Sequence, residues 1–353
     1  MNEFFWKNKK VFITGHTGFK GGWLSLWLQS LGSQVKGYAL KPKESNSLFY
    51  CADVSQGIAS EFGDIRDYQK LKNSIDSFQP DIVFHLASQP IVRLSYVDPV
   101  ETYSTNVMGA VHLFESIKNI KSVKAVINIT SDKCYENKEW SWGYRENDRL
   151  GGYDPYSNSK GCSELVTDCY RKSFFNGLSN HCAIASARAG NIIGGGDWSK
   201  DRVIPDAMLS FYRNKPLEIR SPKSIRPWQY ILDALFGYLI LAEKLYEHQQ
   251  EFAEAWNFGS NDNDAKSVDY LIEQLSRLWG QASWCVSEKE HPYEATYLKL
   301  DCSKAKKRLN WSPLFNLETS LSKTVSWYRS YFEQENIRQI TLNEINAYSQ
   351  NFK

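Results

Sequence analysis

No run of this sequence approaches the ~18 consecutive apolar residues that a membrane-spanning helix needs, so an integral membrane protein is not expected. The first ten residues are charged and aromatic and lack the long apolar stretch of a secretory leader. Charge of one sign is missing too. With 42 Lys+Arg against 40 Asp+Glu there is no broad basic face, and nucleic acid is not expected as a partner. There is no CxxC pair: the seven cysteines (Cys51, Cys134, Cys162, Cys169, Cys182, Cys285, Cys302) are odd in number and widely scattered. That pattern argues for reduced thiols in a cytoplasmic protein and against a disulfide frame or a metal site. Internal repeats and low-complexity linkers are absent. Aromatics are plentiful, with 12 Trp and 20 Tyr, and most are expected to pack rather than to stack on a ligand.

What is present is an alternation. Residues 11–14, 34–40, 81–85, 125–130 and 183–187 read as buried strands, and 21–31, 68–77, 100–117 and 155–174 as helices between them. This implies an α/β chain with a Rossmann-type doubly wound parallel sheet and right-handed crossovers. Beyond residue 190 the pattern loosens at Gly194-Gly195-Gly196. A helix at 231–246 and a strand at 255–258 should return to the sheet, and further helices are expected at 269–280 and 317–332. The expected organisation is a dinucleotide-binding domain over 1–190, rejoined by 231–258. A smaller, discontinuous C-terminal substrate domain would comprise 191–230 and 259–353.

The first strand runs into Gly15-His16-Thr17-Gly18-Phe19-Lys20-Gly21, a GxxGxxG spacing that then opens a helix. The first glycine permits a tight turn, the second lets a pyrophosphate approach the backbone, and the third allows close contact of helix and strand. Free N–H groups and the positive end of the helix dipole then favour phosphate, and His16 is expected to touch it. The second strand ends Gly37-Tyr38-Ala39-Leu40-Lys41, without the acid that would bind the adenosine ribose of NAD. Lys41 could accept a 2′-phosphate there, so NAD and NADP both stay open at this point. Asp64 in Gly63-Asp64-Ile65 is placed either to meet the adenine or to cap the helix beginning near Asp67.

Tyr156 and Lys160 fall four residues apart on a predicted helix and so share a face. A phenol of pKa ~10 becomes a base near neutrality only with about 4 kcal/mol of differential interaction, which a neighbouring ammonium and a cationic cofactor ring can supply. The strand ending at Thr130 delivers Ser131-Asp132-Lys133 to the sheet edge where open α/β sheets bind ligands. Ser131 can donate to a sugar oxygen, Asp132 can act as a general acid, and Lys133 can act as a base if substantially neutral. Arg202 and Arg226 are the candidate cations for substrate phosphates, since a guanidinium fork holds two phosphate oxygens; Asn191 could hydrogen-bond the same group. His85 reads as a packing residue beside the loop, Cys134 shows no sign of a nucleophile, and Lys118, Lys121 and Lys124 read as a solvated face.

Taken in order, these residues resemble the extended short-chain dehydrogenase/reductase family over essentially the whole chain. The TGxxGxxG loop, Gly63-Asp64-Ile65, His85-Leu86-Ala87, Asn106, Ser131, Tyr156 with Lys160, and Arg188-Ala189-Gly190-Asn191 carry the resemblance. Within it the chain is most similar to the 4,6-dehydratases of nucleotide sugars, CDP-glucose being the implied substrate. That closer likeness lies in residues 15–23, Ser131 to Asn137, Gly194-Gly195-Gly196-Asp197-Trp198 and Arg226-Pro227-Trp228-Gln229-Tyr230.

The resemblance implies NAD as cofactor, contacted by the glycine loop, Asp64, Ile65, Leu86, Ala87, Asn106, Tyr156 and Lys160. It implies that Tyr156 takes the 4-hydroxyl proton as a hydride leaves C4, a base removes the C5 proton, and Asp132 protonates the departing 6-hydroxyl before the hydride returns to C6. Asn106 would serve a structural and proton-relay role. Related dTDP-glucose dehydratases carry Thr-Asp-Glu at Ser131-Asp132-Lys133, so Lys133 is either the C5 base or a stabiliser of the enolate. A homodimer is implied, built by pairing helices 100–117 and 155–174 across a two-fold axis. Two other readings compete: a sugar-nucleotide 4-epimerase, which needs no acid at C6, and a non-catalytic dinucleotide sensor, which needs none of Tyr156, Lys160 and Asp132.

Overall fold

Period-two burial organises the chain. In the computed structural model, which describes residues 2–176, 182–280, 282–288 and 296–352, seven strands form one parallel sheet. They are β1 (Lys10–Thr14), β2 (Gln34–Ala39), β3 (Ala59–Phe62), β4 (Ile82–His85), β5 (Ala125–Ile129), β6 (Ala183–Arg188) and β7 (Ala255–Asn257). Their spatial order is β7-β6-β5-β4-β1-β2-β3. The winding therefore reverses between β1 and β4, and a crevice forms at the carboxyl ends of those strands.

The longer helices are α1 (Phe19–Ser30), α2 (Tyr68–Phe78), α3 (Gly109–Ile117), α4 (Pro155–Phe174), α5 (Val203–Tyr212), α6 (Ile231–His248), α7 (Val268–Trp279), α8 (Leu317–Phe332) and α9 (Ile337–Ser349). Val11, Ile13, Ile82, Phe84, Ala125, Ile127, Ala183 and Ala185 point to one face, where they join Trp23 and Trp27 of α1 and the apolar residues of α6. Phe12, Val83, Val126 and Ile184 point to the other, against Leu71 and Ile75 of α2, Leu113 and Phe114 of α3, and Val166 of α4. Alternate residues of one strand thus serve two cores, which is why the central strands read as unbroken apolar runs.

β7 pairs with β6, and α6 packs beneath β5 and β6, so this later segment does return to the sheet. Short strand pairs follow outside it: 217–219 with 284–286, and 225–227 with 265–267. The expected single helix over 100–117 is divided into Pro99–Tyr103, a π turn at Ser104–Met108, and α3. The widened turn carries Asn106, whose amide is bound inward on both sides. Helices α5 and α9 had no counterpart in the sequence reading. All seven cysteines are free thiols. No helix among the described residues is long and apolar enough to cross a membrane.

Candidate active site

At the end of β1 the chain turns through Gly15, at φ 80°. A Cβ there would lie 2.7 Å from the Ala87 nitrogen, so both the conformation and the space require glycine. Gly18 is the N-cap of α1 and, having no side chain, leaves the first-turn N–H groups uncapped. A Cβ on Gly21 would lie 2.1 Å from the Gly15 carbonyl oxygen, so the third glycine seats the helix on the loop itself rather than on the strand. The result is a cavity of about 290 Å³. Gly15, Thr17, Gly18, Phe19, Lys20 and Gly21 line it, with Asp64 and Ile65 after β3 and Leu86 and Ala87 after β4. A loop of this form, open over an uncapped helix start, fits the diphosphate of a dinucleotide.

Two residues expected to contact the cofactor do not line this cavity. His16 is wholly buried and faces away from the cavity. Gly37 of β2 has no side chain, and the slot this leaves is filled by the imidazole; a Cβ at Gly37 would lie 2.2 Å from it. There Nε2 meets Ser60 Oγ at 2.7 Å and the ring stands edge-on to Phe49. Burial pushes the His16 pKa down to about 4, so the ring is neutral. Asn106 likewise does not reach the cavity. Its Oδ1 accepts from Gln89 N–H at 2.8 Å, and its Nδ2 donates to the Gln89 carbonyl at 3.1 Å and to Ser159 Oγ at 2.9 Å. It ties the loop after β4 to the helix carrying Tyr156. Asp64 accepts the backbone N–H and the guanidinium of Arg66, whereas Asp67 caps α2.

Beyond this cavity, β5 releases Thr130, Ser131, Asp132 and Lys133 into the crevice, and α4 starts beside them with Asp154 as its cap and Pro155 in its first turn. Ser131 Oγ is the hub. It donates to Asp132 Oδ1 at 2.9 Å, takes the Lys133 N–H at 3.2 Å, and stands near the Tyr156 hydroxyl, whose pKa it lowers. Asn191 Nδ2 donates to the other carboxyl oxygen at 3.2 Å. Lys160 is buried behind, its ammonium 6.0 Å from the centre of the Tyr156 ring.

Burial pushes Tyr156 up to about 12, against the lowering effects of Ser131 and Arg202. It also pushes Lys160 down to about 8, against the raising effect of Glu164. The Lys133 ammonium has no ion-pair partner among the described residues and lies where two cavities meet. Beneath the hub, Glu164 pairs with Arg188 at 2.8 Å and accepts from Ser186 and Thr130, all of them buried. Burial raises the Glu164 carboxyl, but Arg188 and the hydroxyls outweigh it and hold the group below its ordinary value.

Tyr156, Ser131, Asp132, Lys133 and Asn191 all line a second cavity of about 290 Å³, and Arg202 and Arg226 line it too. Arg202 pairs with Asp197 at 2.8 Å. Sequence reasoning passed over Arg93 and Arg220, which also line it and both reach Asp201, at 2.7 and 3.4 Å. Their one visible signal was position: Arg93 lies on the segment leaving β4, at the ligand-facing edge of the sheet. His85 stays outside the chemistry, its Nδ1 held by Thr14 Oγ1 at 2.7 Å and its pKa pushed by burial down to about 3.

A doubly wound sheet, a glycine loop after β1, and a tyrosine one helical turn from a lysine beside the end of β5 define an extended short-chain dehydrogenase/reductase. The sequence signature of the GDP-mannose 4,6-dehydratase family matches residues 12–324, and the chain belongs to that family. It is 54% identical to a CDP-glucose 4,6-dehydratase of Salmonella typhimurium, over 98% of this chain and 97% of that one. A dTDP-glucose 4,6-dehydratase of Haemophilus influenzae is 25% identical over 90% of this chain and 97% of its own. Among solved structures, an epimerase of Methanothermobacter thermautotrophicus superposes with a TM-score of 0.81 at 22% identity, covering 96% of this chain and 97% of its own. The dTDP-glucose 4,6-dehydratase of Bacillus anthracis, in complex with NAD, gives 0.76 at 20% identity, with coverages of 93% and 98%.

Proposed function

We propose that this chain is an NAD-dependent hydro-lyase that converts CDP-glucose to CDP-4-keto-6-deoxyglucose. The observation that carries the reading is the gathering of Tyr156, Ser131 and Asp132 on one cavity wall, with Ser131 donating to the Asp132 carboxyl. A carboxyl beside the phenol is what elimination at C6 requires, and a 4-epimerase has no use for it. The 54% identity to a CDP-glucose 4,6-dehydratase supports the choice of substrate.

NAD, when bound, supplies the acceptor that takes the hydride from C4 and gives it back at C6. The loop from Gly15 to Gly21 holds its diphosphate against the start of α1. Tyr156 removes the 4-hydroxyl proton; the Lys160 ammonium and a cationic nicotinamide both favour the phenolate that burial alone disfavours. Lys133, whose side chain has no carboxylate partner among the described residues, takes the C5 proton on its neutral amine once the 4-ketone has acidified it. Asp132 then protonates the 6-hydroxyl. Arg202 and Arg226 hold the substrate diphosphate. The division into a dinucleotide-binding domain (1–190 with 231–258) and a substrate domain (191–230 with 259–353) belongs to the same reading, as does a homodimer.

The test is incubation of the protein with NAD⁺ and, separately, CDP-, dTDP-, UDP- and GDP-glucose, with the product mass recorded. Loss of one water from CDP-glucose without net NADH is expected. A product of unchanged mass would point to epimerisation instead.

A further inference from the structure

A sugar nucleotide whose glucose lies against Tyr156 must carry its base to another part of the same cavity. Outside the catalytic group, that cavity is lined by the first turn of α5 and by the short strand 217–219. Helix α5 turns Ala207 and Met208 into the core. Its Val203 and Asp206, three residues apart on one face, are half-buried and line the cavity. Among the described residues, five acids line it. Asp132 is held by Ser131 and Asn191, Asp197 by Arg202, Asp201 by Arg93 and Arg220, and Glu218 by Ser287. Asp206 is the fifth, and no side chain among the described residues hydrogen-bonds to or pairs with its carboxyl. Burial pushes that carboxyl up to about 6, with Asp201 adding to the rise and Arg220 opposing it. Above about pH 7 it is therefore a carboxylate, a group that only accepts hydrogen bonds.

We propose that Asp206 reads the base of the sugar nucleotide, its carboxylate accepting from the exocyclic amine of cytosine. The proposal deepens the dehydratase reading above and rests on it for the kind of substrate. The diphosphate is an anion and is repelled by this group, so its partner is a donor elsewhere on the nucleotide. Cytosine presents an amine at C4, where uracil and thymine present a carbonyl oxygen. A carboxylate facing that oxygen sets two acceptors against each other and leaves both unpaired, which costs more than an absent hydrogen bond. One acid thus favours CDP-glucose and disfavours UDP- and dTDP-glucose through the same contact. Arg202 immediately precedes α5 and Asp206 lies in its first turn, so the start of one helix offers a cation to the diphosphate and an anion to the base.

The test measures binding of CDP and of UDP by titration calorimetry at pH 8, to the unsubstituted protein, Asp206→Asn and Asp206→Ala. In parallel, kcat/KM is measured with NAD⁺ on CDP-glucose and UDP-glucose. The unsubstituted protein should bind CDP about tenfold to hundredfold tighter than UDP. In Asp206→Asn the two affinities should come within about threefold, because the amide accepts from the cytosine amine and donates to the uracil oxygen equally well. Asp206→Ala should narrow the ratio chiefly by weakening CDP. Turnover should follow binding: on CDP-glucose Asp206→Asn should raise KM and leave kcat within about threefold, and its kcat/KM on UDP-glucose should rise. A ratio taken within one variant is unaffected by loss of folded protein. Equal weakening of CDP and UDP in both variants would overturn the proposal in favour of a ribose contact or a structural role at the start of α5; equal affinities in the unsubstituted protein would overturn it outright. If the CDP preference collapses as expected but CDP-glucose loses no water in the unsubstituted protein, the dehydratase reading fails and the base assignment stands. A protein that binds neither nucleotide overturns both.

Discussion

Lys133 and Glu164 show how differently two charged side chains can be used within one site. The Lys133 side chain has no carboxylate partner among the described residues and lies at the junction of two cavities. Lys133→Ala is expected to slow exchange of deuterium at C5 more than oxidation at C4, both followed by mass spectrometry and nicotinamide absorbance. Normal exchange would remove the base assignment. Glu164 is the opposite case, buried to 3% exposure and shared among Arg188, Ser186 and Thr130. Glu164→Gln leaves the Arg188 charge uncompensated in the interior, and a loss of about 3–5 kcal/mol is expected from denaturant unfolding. Because Thr130 directly precedes Ser131, activity should fall in the same variant even well below its unfolding midpoint.

Elements α6 and α9 are joined by two reciprocal phenol–carboxyl pairs. Tyr230, just before α6, donates to Glu344 of α9, and Tyr348 of α9 donates to Asp233 of α6 at 2.6 Å. Burial pushes Asp233 up to about 6 and Glu344 up to about 7. Both folded values lie above the ordinary carboxylate range of about 4. Between about pH 4 and these values the folded chain therefore binds more protons than the unfolded one. Their stabilising contribution is complete below that window and is lost as pH rises through about 6 to 7. The buried His16 and His85, whose pKa values are pushed down, act with the opposite sign below about pH 6.5, so the quantity to read is the difference between the unsubstituted protein and Glu344→Gln. The Tm advantage of the unsubstituted protein should shrink between pH 5 and pH 8; a constant difference would remove Glu344 as a source.

Helix α9 also marks where the sequence was hard to read. Its isoleucines are interleaved with polar residues, and its packing surface exists only once α1 and α8 are in place. Helix α5 was hidden by Pro205 in its first turn, where proline is tolerated. The sheet was legible because strands covered on both faces cannot avoid apolar runs. The glycine loop and the Ser131–Tyr156 grouping were legible because strand ends converge at a winding reversal. The direction of the His16 ring was not, although a glycine in mid-strand at Gly37 marked the slot it fills.

At the scale of the whole molecule, the outer surface of the helices over 92–117 and of α4 is unusually apolar. Val97 is 81% exposed, Val100 78% and Leu165 60%, with Met108 and Phe174 also partly bare. Packed helices with such an outer face suit self-association about a two-fold axis. Sedimentation is expected to find a homodimer, and Val97→Lys combined with Leu165→Glu should shift it toward monomer with the fold intact by circular dichroism. A monodisperse monomer of the unsubstituted chain would remove that expectation.

The bridging of Arg93 and Arg220 by Asp201 has a consequence for how anything enters. These side chains come from distant parts of the chain and meet at the rim of the second cavity, and Arg93 and Asp201 are each 39% exposed. Ion pairs so wet are worth only about 0–1 kcal/mol and weaken in salt. The rim is therefore fastened like a snap rather than bolted: a polyanion arriving with two negative charges can displace the tethered carboxylate at little cost, and the snap re-forms once the guest departs.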